Sequence, residues 1–129
     1  MAQAKASIGT TDYAVSIAAG HHQLVADESA ERGGKDTGPS PSEMVCAALG
    51  ACTAITLRMY AEHKDWPLRA IHVDVHLGQE GAQHVIVRQL ALEGDLSDEQ
   101  RARFADIAER TPVTLLLKEG AKITTTLAP

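Results

Sequence analysis

The chain has 129 residues, with 12 Lys and Arg against 17 Asp and Glu, six His, two Cys and four aromatic rings (Tyr13, Tyr60, Trp66 and Phe104). Length predicts one domain over residues 1–129, and 44% hydrophobic with 22% charged residues is a globular rather than a disordered composition. A net charge of −5 and so few rings argue against nucleic acid, which is held by clustered cations and stacking platforms.

The first forty residues read as short strands and turns. Tyr13–Ala18 alternates weakly, and Gln23–Asp27 follows a Gly20-His21-His22 turn, as hairpin strands do. Residues 31–41 carry Gly, Pro, Ser and Asp and predict a mobile connector, at the rim of a site. Its glycines match neither phosphate-binding spacing.

Ser40-Pro41-Ser42-Glu43 is a helix start: Ser40 caps, Pro41 suits the first helical position, and Glu43 can reach back to close a capping box. The helix runs to about Lys64, ahead of Trp66-Pro67. It is apolar nearly all round, so burial on most sides is expected. Its apolar-rich core, Met44–Leu57, is 14 residues and short of a membrane span.

Ile71–Leu77 then alternates, with Ile71, Val73, Val75 and Leu77 facing one way and His72, Asp74 and His76 the other. A turn at residues 78–81 returns the chain along 84–92 as an antiparallel hairpin. Ser97-Asp-Glu-Gln100 opens a second helix to about Arg110, with Phe104, Ile107 and Ala108 inward. Thr111 caps a short third helix that Gly120 ends, and residues 122–127 form a last strand. This order is α+β.

Four rings among 21 Ala predict a core of aliphatic and small side chains, with the missing burial supplied by a second subunit. The N-terminal Met-Ala-Gln-Ala-Lys-Ala-Ser lacks the apolar core of a secretory leader. The expectation is a cytoplasmic protein with two reduced thiols, no membrane partner and no cofactor.

Cys52 is the leading candidate for chemistry. An isolated helical Cys is more often a buried small hydrophobe than a nucleophile, and spacing alone does not lift Cys52 above that role. Cys46 lies about 9 Å along the helix axis from it, out of disulfide range, and reads as core filler. His72, Asp74 and His76 give a weak metal alternative on one strand face; a solvated sheet face is the commoner meaning, and no metal is expected.

The segment Gly38-Pro-Ser-Pro-Ser-Glu-Met-Val-Cys-Ala-Ala-Leu-Gly-Ala-Cys-Thr-Ala-Ile-Thr-Leu-Arg-Met-Tyr-Ala, followed by Trp66-Pro67-Leu68, resembles the central helix of OsmC-like proteins. That superfamily includes the organic hydroperoxide resistance proteins. Leu92–Arg101, Ile107–Thr114 and Ile123–Leu127 look like its C-terminal half, so the resemblance covers roughly residues 31–127. It implies antiparallel sheets wrapped around a long buried helix in an intertwined homodimer. It also implies a thiol-dependent peroxidase acting on an organic hydroperoxide. Cys52 falls at the peroxidatic position, attacking the peroxide and becoming a sulfenic acid. Arg32, the only Arg before the helix, is the candidate activator, and Leu49 and Thr111 are the candidate substrate-binding neighbours.

Two positions depart from the family pattern. Thr111, in Thr111-Pro112-Val113, stands where the resolving Cys belongs, so an external thiol would have to reduce the sulfenate. Ser42 stands where the activating Glu belongs. Glu43, one residue on, points about 180° around the helix from Cys52 and is better explained as a cap. The alternative reading is a non-catalytic dimer that binds a small apolar molecule between its subunits.

Overall fold

The predicted capping box at Ser40 forms: Glu43 N donates to Ser40 Oγ at 3.2 Å, and Ser40 N donates to Glu43 Oε1 at 2.9 Å. It opens helix α1, Pro41–Lys64, in a computed structural model that describes residues 2–129. The chain divides into two compact units, Met1–Cys46 and Ala47–Pro129, with the boundary inside α1.

The first unit carries strands β1 (Ala4–Ser7), β2 (Val15–Ala19) and β3 (His22–Ala26) in one antiparallel sheet, ordered β1-β2-β3. The β2–β3 hairpin was legible; β1 was not, because Ala-Lys-Ala-Ser is exposed at every position and shows no alternation. The connector after β3 is a loop whose ends are joined by hydrogen bonds. Asp27 N donates to Pro39 O at 3.1 Å. The buried Asp27 carboxylate accepts from Glu28 N, Thr37 N and Thr37 Oγ1 at 2.7, 3.1 and 2.6 Å. Within the loop, a Cβ at Gly34 would sit 2.1 Å from the Glu28 carbonyl oxygen, so only glycine fits there.

The second unit holds the rest of α1, the hairpin β4 (Leu68–Glu80) and β5 (Gln83–Gly94), and helices α2 (Asp98–Ala108) and α3 (Pro112–Glu119). The hairpin is longer than the alternation suggested and turns on two residues, Gly81 and Ala82; Gly81 has φ 62°, which suits the first position of such a turn. Ser97 and Gln100 form the predicted capping box of α2, and Thr111 caps α3.

The core of this unit joins Leu57 and Ala61 of α1, Leu68 of β4 and Phe104 of α2. Tyr60, Trp66 and Phe104 meet edge to face, with ring centroids 5.4 to 6.2 Å apart. The buried apolar side chains are aliphatic and small as composition suggests, Ala26, Leu49, Leu57, Ala61, Leu68 and Ala108, with Phe104 the one buried ring; the partly buried Tyr60 and Trp66 pack against it.

Three expectations are not met within the single chain. Within the chain α1 is buried only along the stripe Leu49, Thr53, Leu57 and Ala61, while Val45, Ile55 and Met59 are 38, 55 and 63% exposed. With 24 residues α1 is also long and apolar enough to cross a membrane by length and composition alone, a test that the core helix of a soluble protein passes equally. Residues 122–127 form no strand among the described residues, and Ile123 and Leu127 are 87 and 96% exposed. An alternating segment needs a partner edge to become a strand.

Candidate functional site

Cys52 is half-buried on α1 between the buried stripe residues Leu49 and Thr53. Its Sγ accepts the Val113 backbone N–H at 3.5 Å. Val113 lies in the first turn of α3, where unpaired amide donors and the helix dipole favour negative charge. The thiol sequence reasoning singled out is thus brought to the Thr111-Pro112-Val113 segment, 61 residues away in the chain.

Thr111 is fully buried. Its hydroxyl accepts from Thr114 N at 3.4 Å and meets Thr114 Oγ1 at 2.6 Å, so it serves the helix cap rather than facing an open cavity. Leu49 is 4% exposed and borders a cavity of about 450 Å³ with His84, Ile86, Arg88, Glu109 and Lys118.

Arg88 was missed by sequence reasoning. It lies on β5 in phase with the inward-facing Ile86, Leu90 and Leu92, and its side chain is only 11% exposed. A cation in the buried phase of an alternating strand must be paired, and that was the available signal. Nη1 donates to Thr53 Oγ1 at 3.0 Å and to Thr114 Oγ1 at 2.8 Å. Nη2 donates to Ala108 O at 2.8 Å and to Glu109 Oε2 at 3.0 Å. Lys118 Nζ holds the other Glu109 oxygen at 3.0 Å. Lys118 first, and then Arg88, keep the Glu109 carboxyl below its ordinary range.

The other candidates have local roles. Glu43 is occupied by the Ser40 cap, whose backbone N–H holds its carboxyl below the usual value. Arg32 belongs to the first unit, is 76% exposed, and faces Glu28 at 3.8 Å beside Ser29 and the Ser40–Glu43 turn. Cys46 and Cys52 are both free thiols. His72, Asp74 and His76 lie on the exposed face of β4, where His72 Nε2 pairs with Glu93 Oε2 at 2.5 Å. No three His, Cys, Asp or Glu side chains among the described residues gather closely enough to hold a metal ion.

Antiparallel sheets, one long apolar helix and a helix-borne cysteine whose sulfur meets the start of another helix define an α+β protein with a long central helix. The chain belongs to the OsmC-like protein family, whose sequence pattern matches residues 33–126. No curated protein matches the sequence significantly. Among solved structures, the OsmC-like protein from Mycoplasma pneumoniae is 17% identical, with a TM-score of 0.78 over 92% of this chain and 87% of that one. An organic hydroperoxide resistance protein from Legionella pneumophila is 19% identical, with a TM-score of 0.68 over 92% and 89%. The organic hydroperoxide resistance protein OhrB of Bacillus subtilis is 21% identical, with a TM-score of 0.63 over 92% and 90%. These likenesses establish the OsmC-like fold.

Proposed function

We propose that the protein reduces organic hydroperoxides through Cys52 alone, with a small external thiol as reductant. One observation carries the reading: Cys52 Sγ receives a backbone N–H at the first turn of α3 while remaining half-exposed. A nucleophilic sulfur needs both a setting that favours its anion and access for the substrate. Relatives of the same fold are organic hydroperoxide resistance proteins.

In the reaction, the Cys52 thiolate attacks the terminal oxygen of the hydroperoxide and the O–O bond breaks. The alkoxide takes a proton and leaves as an alcohol, and Cys52 is oxidised to a sulfenic acid. One external thiol condenses with it, releasing water and forming a mixed disulfide. A second thiol attacks that bond and restores the Cys52 thiolate. The balance is one hydroperoxide and two thiols to one alcohol, one water and one disulfide. Thr111 has no sulfur and its hydroxyl is engaged in the α3 cap, so the reductant comes from outside the chain.

We further propose a homodimer. The support is the exposed Val45, Ile55 and Met59 on α1 and the uncovered Ile123 and Leu127, apolar surface that a second copy would remove from water. The alternative, a non-catalytic dimer with a small apolar molecule between its subunits, gains no support from the cavity beside Leu49, which lies within one chain.

The test is stopped-flow consumption of tert-butyl hydroperoxide with a thiol reductant. Wild type should turn over and Cys52→Ser should not. Absent turnover, or equal rates in both, sinks the peroxidase reading.

A further inference from the structure

The hydrogen bonds around Cys52 close into a ring. Cys52 is the chain neighbour of Thr53, whose Oγ1 accepts from Arg88 Nη1. The same nitrogen donates to Thr114 Oγ1. Thr114 is the chain neighbour of Val113, whose N–H returns to Cys52 Sγ. A single guanidinium nitrogen therefore spans the two residues that flank the N–H···S contact.

The threonine hydroxyls and the terminal guanidinium nitrogens of this ring have their protons assigned. Thr53 Oγ1 passes its own proton to Leu49 O at 2.7 Å. Thr114 Oγ1 gives its proton to Ala108 O at 3.1 Å and, with Thr111 as donor, accepts at 2.6 Å. The two Nη1 protons go to the threonines, and the two Nη2 protons go to Ala108 O and Glu109. Thr53, Thr111 and Thr114 are 0, 0 and 5% exposed, so water has little room to substitute for a lost partner. In such a setting a planar fork with fixed donors sets geometry more tightly than a flexible ammonium could.

We propose that Arg88 is a positioning residue for the Cys52 thiol: by clamping Thr53 to Thr114 it keeps the Val113 N–H aimed at Sγ. Arg88 acts through the threonines and not on substrate. The inference rests on Cys52 as the reactive thiol, but its readouts need no hydroperoxide.

The experiment measures two quantities in folded protein: hydrogen exchange of the Val113 amide by NMR, and the rate of Cys52 alkylation by iodoacetamide at neutral pH. In Arg88→Met, Val113 protection should fall by about tenfold and alkylation should slow by about fivefold or more, because the sulfur loses a donor that favours its anion. Arg88→Lys should not restore either value. Ile107→Val, which disturbs the Phe104 core outside the ring, should lower stability and leave both readouts alone. If Arg88→Met lowers the melting temperature but moves neither readout, or only one, the proposal is overturned. Thr114→Val removes one link while keeping side-chain shape and decides the matter if Arg88→Met does not fold. Shifts in the same directions support the clamp, and unchanged values overturn it. If wild type consumes no hydroperoxide while both readouts still move, the peroxidase reading falls and the positioning role stands.

Discussion

Asp27 carries its charge where the side chain is 2% exposed. Among the described residues no cation pairs with it; the Thr37 hydroxyl first, and then the backbone amides of Glu28 and Thr37, hold its carboxyl below the ordinary range. The sign of the linkage follows. The ionised form is favoured in the fold, so this stabilisation is fully present above the unfolded value of about 3.9 and is lost as pH falls through the lowered folded value. Thermal unfolding of wild type and Asp27→Asn between about pH 2 and 6 should show the acid limb of wild type flattened in the variant. The variant should also be less stable at neutral pH, because an amide offers one acceptor oxygen where the carboxylate offers two. A variant whose acid limb matched wild type would mean that other carboxylates set it. A residue of this kind is hard to read from sequence: Asp in a Gly-rich stretch looks like a solvated turn former, and its partner Thr37 is ten residues away.

Elements whose logic is local were legible, and those with distant partners were not. The starts of α1, α2 and α3 follow from Ser40 with Glu43, Ser97 with Gln100, and Thr111, because a cap is completed within three residues. The β4 faces follow from strict alternation, and the structure reproduces them. By contrast, Arg88 finds Thr53 and Ala108 at separations of 35 and 20 residues, which no window on the sequence connects. The packing of α2 belongs with the local group: Phe104 and Ala108, one turn apart, are 0 and 2% exposed as its periodicity requires. Phe104 also touches the rings of both Tyr60 and Trp66. Phe104→Ala should cost about 3–5 kcal/mol in chemical denaturation. A loss below about 1 kcal/mol would mean that the ring cluster collapses readily around the void.

At the scale of the whole molecule, composition pointed to missing burial, and the single chain shows where it is missing. Small aliphatic side chains fill the core around Phe104, and one face of α1, with Val45, Ile55 and Met59, stays exposed in the single chain. If a second copy covers that face, light scattering at micromolar concentration should give twice the chain mass. Met59→Glu, at a site 63% exposed in the chain, should shift the protein toward monomer. Truncation after Gly120 should do the same if the tail contributes to assembly. A wild-type monomer at these concentrations, or variants as dimeric as wild type, would remove the homodimer from the account.

The tail has a consequence for handling and for biosynthesis. Ile123-Thr-Thr-Thr-Leu127 is rich in β-branched residues, bears no charge, contains no proline and offers its backbone donors and acceptors to any extended edge it meets. Lys122, just before it, is its nearest gatekeeper. A chain on its own therefore exposes an adhesive ribbon while its folded part is intact. Losses at low concentration should appear as slow, β-rich precipitation that removing residues 121–129 prevents, rather than as unfolding.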